Sequence, residues 1–358
     1  MDMLIQSYVE RHFISSDHSQ SIEKSLREFK AYVSQFPDVL KLTVCVSGSY
    51  ASGLASQEDS NLDVVVIMDG GALTNSLDRD QLVLALSTGL KDWENILELK
   101  TTQSNPRLLV ADLVGNRTKF YIRTCKPRTF PLNELYHAKL FSSYSFCDPR
   151  ISIVISLVKR WARKSGFSSD MSTLGCPFSG FHWTIIVSFF LLKIRMLPNL
   201  HRLTSVANHL PKEVYGPRQD RDSFVLVSDR SIGEKLTQNS PTQKLPLSRI
   251  LVEFFGWLSE LDLLSQCIAL QSTGSSQAET PVRLGWINVV DPCKAGWVSV
   301  IDPSISQKSQ VLFALRLSRY ARKLFAKLQG SDERTITNLL TGRMSPDGPS
   351  PTYDRAVP

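Results

Sequence analysis

Val46-Ser47-Gly48-Ser49-Tyr50 ends a β-branched run and is followed about a dozen residues later by Asn61-Leu62-Asp63-Val64-Val65-Val66. The first stretch predicts a strand closed by a small-residue turn, whose N–H groups and hydroxyls can approach a phosphate. The second predicts a buried strand. Because side chains alternate along a strand, Asn61 and Asp63 share one face beside the turn. This arrangement can hold Mg²⁺ on a nucleotide tail, although for the motif taken alone a serine–glycine turn followed by a solvated aspartate is the favoured explanation.

Hydrophobic periodicity around this motif predicts a small α+β segment followed by a helical one. Residues 1–36 have the helical pattern, and Gln81 to Leu97 predicts an amphipathic helix. Arg107 to Val114 and Lys119 to Arg123 predict a hairpin about Gly115-Asn116. Four helices are expected further on, at Ser152 to Lys164, Phe181 to Met196, Arg249 to Leu264 and Gln310 to Leu328. The polar stretch Tyr215 to Pro246 predicts a long excursion.

The expected fold is α+β and two-lobed, with a small mixed-sheet domain, a larger helical domain and a cleft between them. The predicted divisions are N-terminal helices over 1–37 that pack on the helical domain, a mixed-sheet domain over 38–129, a helical domain over 130–329 and a flexible tail over 330–358. Ligand sites commonly lie between two such lobes.

Composition and charge exclude several classes of protein and favour one kind of partner. The chain has 358 residues, of which 42% are hydrophobic and 21% charged, which excludes collagen-like, coiled-coil and wholly disordered proteins. A net charge of +7 favours a polyanionic partner. The six cysteines form no C-x-x-C pair, so we expect neither a zinc site nor a disulfide framework, and an intracellular, reducing compartment. No signal peptide is indicated, and the longest apolar stretch, Trp183 to Leu192, is too short for a membrane span.

An ordered series of motifs gives the chain a family resemblance. The glycine–serine turn, Gly53-Leu54 and the Asn61 to Val66 strand are followed by the segments listed here: Ser142-Ser143-Tyr144, Cys147-Asp148-Pro149-Arg150, Leu157 to Arg163, Leu197-Pro198-Asn199-Leu200, Leu251 to Leu264, and Val290-Asp291-Pro292. Over roughly residues 1–328 the series resembles the terminal uridylyltransferase and cytoplasmic-type poly(A) polymerase family of the DNA polymerase β-like nucleotidyltransferases. The last two segments resemble its PAP-associated region.

The resemblance implies a catalytic site that this chain keeps only in part. Family members use three carboxylates to bind two Mg²⁺ ions at the attacking 3′-hydroxyl and the nucleotide phosphates. Here Asn61 replaces the first, Asp63 keeps the second, and Tyr121 stands at the position of the third. Asp112 on the neighbouring strand is the possible substitute. Asp63 alone supplies a charge of −1 where the family supplies −3, so we expect it to bind at most a nucleotide-borne metal.

The resemblance also implies a nucleotide pocket. Gly48 and Ser49 lie at the phosphate turn, Lys159 and Arg163 match the triphosphate-contacting basic residues, and Phe181 matches the base-stacking tyrosine. The remaining matches are His137 for the ribose-contacting asparagine, Asp291, which is kept, and Trp297 near the position that helps to select uracil. Without the resemblance, a solvated basic face is the favoured explanation of Lys159 and Arg163, and an ordinary partly buried side chain is the favoured explanation of His137.

The departures favour a catalytically degenerate protein, since metal and base-recognition positions are altered together. It would act as an RNA- or nucleotide-binding or scaffold subunit in RNA processing, with RNA, UTP or ATP and other proteins as partners and no membrane. Mg²⁺ or Mn²⁺ is expected only with bound nucleotide. The alternative is an active RNA 3′-terminal uridylyl- or adenylyltransferase in which Asp63 and Asp112 bind Mg²⁺. A third hypothesis is a structural subunit whose cleft is occluded by Trp297. Cytoplasm, nucleus and mitochondrion all stay open.

Overall fold

A computed structural model describes most of the chain in two compact units. It describes residues 15–36, 42–56, 61–68, 79–94, 96–101, 108–113, 119–125, 132–168, 176–203, 214–215, 224–242, 244–272, 283–293, 298–329 and 338. The sheet unit comprises the described residues up to Ser145 together with Leu226–Ser228. The helical unit comprises the described residues of Phe146–Val225 and of Asp229–Pro358.

The sheet unit is built on five strands of mixed direction. The strands are β1 (Leu42–Ser47), β2 (Leu62–Met68), β3 (Ile96–Thr101), β4 (Leu108–Leu113) and β5 (Lys119–Cys125). Their order is β1-β2-β5-β4-β3, and only the β2–β5 pairing is parallel. The predicted hairpin is confirmed, since β4 pairs with β5 in antiparallel fashion and Asp112 lies opposite Lys119. The predicted turn at Gly115-Asn116 lies outside the described residues.

One face of this sheet is the apolar core of the unit. Helix α1 (Ser16–Val33) and helix α3 (Arg79–Lys91) cover it, and a short helix α2 (Gly48–Ala51) follows β1. Ile22, Phe29 and Val33 of α1 lie in one buried cluster with strand residues such as Phe120. This differs from the expectation that the N-terminal helices pack on the helical domain. The apolar stripe of α1 instead completes the core of the sheet; the expected helix before it lies outside the described residues.

Strand β3 was not expected from the sequence. The helix predicted over Gln81 to Leu97 ends at Lys91, and Ile96–Thr101 pairs with β4. The apolar positions of Ile96 and Leu99 continue the helical pattern of α3, but both side chains pack against the same core from a strand. Because short apolar stretches fit both periods, the sequence pattern did not distinguish the two structures.

The opposite face of the sheet carries the polar residues. Residues paired across neighbouring strands point to the same side. Ser47 pairs with Asp63, Asp63 with Tyr121, and Asp112 with Lys119, and Arg123 follows Tyr121 by two residues. All of these side chains therefore project from one face, opposite the core that contains Leu62, Val64 and Phe120.

Helix α4 (Leu132–Cys147) belongs to the sheet unit over nearly its whole length. Arg123 on β5 donates to Glu134 of α4 at 2.6 Å, and the Ser145 hydroxyl donates to the Ser52 carbonyl at 3.4 Å. The unit boundary therefore falls at residues 145/146, not at the expected 129/130. The contacts from α4 to the polar face of the sheet are the physical reason.

The helical unit contains the five helices α5 (Arg150–Lys164), α6 (Gly180–Lys193), α7 (Arg230–Thr237), α8 (Leu247–Glu260) and α9 (Gln307–Leu328). Four of them match the predicted helices; α7 lies inside the stretch expected to be an excursion. Asp229 caps α7 by accepting from the Ile232 N–H at 3.0 Å. Trp161, Trp183 and Phe255 form an aromatic core between α5, α6 and α8. Among the described residues, no helix has the length and apolar character needed to cross a bilayer.

Candidate functional site

The turn after β1 brings backbone into contact with the Asp63 carboxylate. Gly48 has a φ of +65°, in the left-handed region that favours glycine. A methyl group built on Gly48 would overlap the Asp63 side chain, which leaves no room for any other residue there. Ser47, opposite Asp63 in the β1–β2 pairing, is buried. Gly48 is thus required by the close approach of the turn to Asp63.

Asp63 lies directly opposite Tyr121 in the parallel pairing of β2 with β5. Neighbouring strands lie about 5 Å apart, so Tyr121 is the residue beside Asp63 on this face of the sheet. Tyr121 carries a phenol and not a carboxylate, so it does not supply the anionic ligand of the third position. Asn61, two residues before Asp63, is exposed and contributes a neutral amide.

A guanidinium completes the surroundings of Asp63. The Arg123 Nη1 lies 2.6 Å from Glu134 Oε2 and 3.8 Å from Asp63 Oδ1. Burial by itself lowers the pKa of Arg123, but the charges of Glu134 and Asp63 outweigh it, and the pKa of the guanidinium is raised. Arg123 is therefore held in its charged form between two carboxylates.

Asp112 does not reach this group. It lies opposite Lys119 on β4, and the Lys119 ammonium contacts its two oxygens at 3.1 and 3.2 Å. Asp112 lies one strand farther from β2 than Tyr121 does, and it is displaced by two residues along the strand direction. Ordinary sheet spacings then place its Cα atom roughly 11 Å from that of Asp63. Two-metal sites hold their ions only about 4 Å apart. The register therefore places Asp112 in a separate ion pair and argues against its substitution for the third carboxylate.

Sequence reasoning missed Arg123 and Glu134. The sequence placed Arg123 only at the end of a predicted strand and Glu134 only inside the expected helical domain. A signal was present, because Arg123 follows Tyr121 by two residues and so shares its face, the face of Asp63. The position of Glu134 depends on how α4 packs on the sheet, and no sequence period predicts that packing. His137, the expected ribose contact, lies one turn beyond Glu134 on α4 and is half-buried.

The helical unit holds a second group of the expected residues. Lys159 and Arg163 lie four residues apart on α5, and both are half-buried. A Cβ built on Gly180 would lie 3.0 Å from the Lys159 Cε and 3.7 Å from its Nζ. The lysine side chain therefore passes over the first residue of α6, next to the half-buried Phe181. The structure brings Lys159 and Phe181 together within this unit.

His182 fixes the start of α6. Its Nδ1 accepts from the Ser179 N–H at 2.9 Å, which requires the neutral tautomer with a proton on Nε2. That Nε2 donates to the Val300 carbonyl at 3.0 Å. Burial lowers the pKa of His182 to about 4, against the opposing effect of the Val300 bond. This neutral histidine joins the Phe181 end of α6 to the segment that contains Val300.

Asp291 is buried and shapes the turn that it begins. One carboxylate oxygen accepts from the Cys293 N–H at 2.9 Å, and its main chain bonds to Val298 and Gln271. These bonds give the Asp291-Pro292 pair a structural role. Trp297, the expected uracil-position residue, lies outside the described residues.

Comparison with known proteins was made by sequence and by structure. No family model matches the chain. Caffeine-induced protein 16 of Schizosaccharomyces pombe is 28% identical over 160 residues, which cover 44% of this chain and 12% of that protein. The mitochondrial poly(A) RNA polymerase of Drosophila melanogaster is 28% identical over 141 residues, which cover 39% of this chain and 22% of that protein. The matches thus span less than a quarter of either relative.

Solved structures match nearly the whole chain. The GLD-2/RNP-8 complex gives a TM-score of 0.67 at 17% identity, covering 94% of this chain and 96% of that chain. Mitochondrial poly(A) polymerase (mtPAP) with UTP gives 0.69 at 16%, covering 94% and 69%. A Cid1 poly(U) polymerase mutant bound to MgATP gives 0.66 at 17%, covering 94% and 97%. This chain has the fold of these polymerases. The fold class predicted from the sequence is confirmed, and the proteins and structures that match include poly(A) and poly(U) polymerases, as the resemblance predicts.

The residues around Asp63 do not fit the magnesium that such a fold implies. The Cid1 structure carries MgATP, and Mg²⁺ requires oxygen ligands at about 2.0–2.1 Å in near-octahedral geometry. Here the neighbours of Asp63 are a phenol across the sheet and a guanidinium at 3.8 Å. Within the described residues, no three His, Cys, Asp or Glu side chains are grouped so that they could hold a metal.

Proposed function

We propose that this protein is a catalytically degenerate member of the terminal nucleotidyltransferase fold that acts in RNA processing as an RNA- or nucleotide-binding or scaffold subunit. The observation that carries the proposal is the pairing of Asp63 with Tyr121. A tyrosine stands directly opposite Asp63 on the parallel strand, the position at which the family resemblance places the third carboxylate.

Charge supports the absence of two-metal catalysis. Three carboxylates set −3 against the +4 of two Mg²⁺ ions, whereas Asp63, Glu134 and Arg123 together carry −1. A group with that net charge attracts a pair of divalent ions weakly. Any Mg²⁺ or Mn²⁺ at Asp63 would therefore arrive on a nucleoside triphosphate, since Mg²⁺ is often held by one carboxylate plus phosphates.

The expected RNA partner is supported by the cationic residues of the helical unit. Helix α9 has six lysine or arginine side chains and no acidic one in its 22 residues. Lys308 and Arg319 of this helix are exposed. A basic surface of this kind binds the phosphates of a polyanion without regard to sequence. Lys159, Arg163 and Phe181 would contribute cations and a stacking ring to the same partner or to a nucleotide.

A protein partner and an intracellular location are parts of the same proposal. GLD-2, which shares the fold, was solved in complex with RNP-8. A chain that binds RNA but does not extend it would act through the proteins that it accompanies. Cys45, Cys147 and Cys267 lie outside disulfides in the structure, which is compatible with a reducing compartment.

An extension assay on the purified full chain tests the proposal. Labelled UTP or ATP, a short RNA and Mg²⁺ or Mn²⁺ are incubated with the protein, and an electrophoretic shift of the same RNA verifies that the preparation binds it. We expect RNA binding without tailing above the protein-free blank. Tailing that disappears in Asp63→Ala would overturn the proposal. Tailing that is retained in Asp63→Ala would indicate a contaminating polymerase.

A further inference from the structure

The Arg123 guanidinium lies where two carboxylates of the sheet unit converge. It contacts Glu134 on α4 at 2.6 Å and Asp63 on β2 at 3.8 Å, while its own Cα lies on β5. The side chains of Arg123, Asp63 and Glu134 are 20%, 25% and 34% exposed. Three separate elements thus meet through one cation that is largely withdrawn from solvent.

Two carboxylates at this distance repel each other unless a positive charge lies between them. Asp63 Oδ1 and Glu134 Oε2 are separated by no more than the sum of their distances to Arg123 Nη1, which are 3.8 Å and 2.6 Å. Like charges this close raise the energy of the folded state, and the penalty grows as water is excluded. A cation between the two carboxylates lowers this penalty, and the chain supplies one of its own in Arg123.

We propose that Arg123 is a built-in counter-ion that takes the place of a divalent cation beside Asp63, and that its removal turns Asp63 and Glu134 into a divalent-cation site. The inference concerns the site on which the proposed function rests and explains why that site does not recruit a metal. It predicts a dominant role for Arg123. A carboxylate introduced near Asp63 would leave the attached guanidinium in place, whereas loss of Arg123 removes the cation that lies beside both Asp63 and Glu134.

The test is a set of thermal melts with and without Mn²⁺. The full-length wild type is compared with Arg123→Met, with Arg123→Met combined with Glu134→Gln, and with Arg249→Met as control. Arg249 forms an ion pair with Glu253 at 2.9 Å in the helical unit, so its loss also exposes a carboxylate but not a converging pair. Arg123→Thr is a second variant for the case in which Arg123→Met does not fold, because β-branched residues suit a strand.

Mn²⁺ at about ten times its Kd should raise the melting temperature of Arg123→Met by roughly 2–4 °C. The wild type, the Arg249→Met control and the double variant should not shift. EDTA should reverse the effect. Equal shifts in all four proteins, or no shift in both well-folded Arg123 variants, would overturn the inference.

Mn²⁺ titration of the wild type by electron paramagnetic resonance decides the question even if the Arg123 variants fail to fold. Specific binding to the wild type that is lost in Asp63→Asn contradicts a built-in counter-ion; absence of such binding supports it. The outcome is separate from that of the extension assay. Mn²⁺ binding without tailing would contradict this inference but not the proposed function. Tailing would contradict the proposed function.

Discussion

Asp63 and Tyr121 face each other across the only parallel strand pairing of the five-stranded sheet. The carboxylate also touches the Gly48 turn and lies 3.8 Å from the Arg123 guanidinium. The turn, the strand and the aspartate that the family resemblance predicts therefore lie together, while the residues beside that aspartate are a tyrosine and an arginine. This combination is the basis of the proposed loss of two-metal catalysis.

Replacement of Gly48 by alanine should destabilise the sheet unit strongly. The new methyl group meets the Asp63 carboxylate, and the positive φ adds backbone strain. We expect a loss of about 2–4 kcal/mol in the free energy of unfolding, measured in urea. Gly53→Ala is the matched control, because Gly53 has a φ of +70° and nothing within 4 Å of the added methyl. It should lose only about 1 kcal/mol. Equal losses would show that contact with Asp63 is not what requires glycine.

Arg123→Met should destabilise the protein more than Lys119→Met. Loss of Arg123 removes the cation that lies beside both Asp63 and Glu134, which are partly buried, for an expected cost of about 2–3 kcal/mol. Lys119 is 48% exposed and pairs with Asp112 on the rim of the same face, so its loss should cost under about 1 kcal/mol. Urea unfolding of both variants in EDTA measures the difference. Similar costs would mean that the Arg123 pairs are ordinary surface ion pairs.

Stability should fall as the pH drops from about 6.5 towards 4, through His182. Its pKa is lowered to about 4 in the folded protein, so between those values the unfolded chain binds a proton that the native state excludes. The contribution is complete above the unfolded pKa and amounts to roughly 3 kcal/mol at most. His182→Gln should flatten the dependence of the urea midpoint on pH relative to the wild type. An unaltered slope in His182→Gln would assign the acid sensitivity to other groups.

Charge reversal on α9 should weaken RNA binding. Lys308→Glu combined with Arg319→Glu removes two exposed cations from a helix without acidic residues. We expect at least about a fivefold rise in the Kd for a single-stranded RNA at moderate salt, with a shallower salt dependence. Lys24→Glu, on α1 of the sheet unit and 73% exposed, makes the same kind of change elsewhere. An equal effect for each reversed charge on the two helices would indicate that only net charge matters.

The sequence predicted the parts of the fold that depend on local pattern. The glycine–serine turn, the β2 run and the long helices were identified because period and turn chemistry act within a few residues. Strand β3 was missed because Ile96 and Leu99 fit a helical period as well. The packing of α1 on the sheet was missed because an apolar stripe does not specify which surface it covers.

The candidate site was predictable only in part for the same reason. Asn61, Asp63 and Tyr121 followed from strand alternation and family resemblance. The Arg123–Glu134 contact joins residues of a strand and a helix, and it depends on tertiary packing that no period encodes. The position of Asp112 depends on the strand register, in which it pairs with Lys119. A shift of one residue would move its side chain to the opposite face of the sheet, and the sequence alone does not fix that register.

The most direct measurement is the anomalous diffraction of a crystal of the full chain soaked with UTP and Mn²⁺. We predict no manganese peak bonded to both Asp63 and a second protein carboxylate, with Arg123 still beside Glu134. Two manganese peaks at Asp63, with Arg123 displaced from Glu134, would contradict the account.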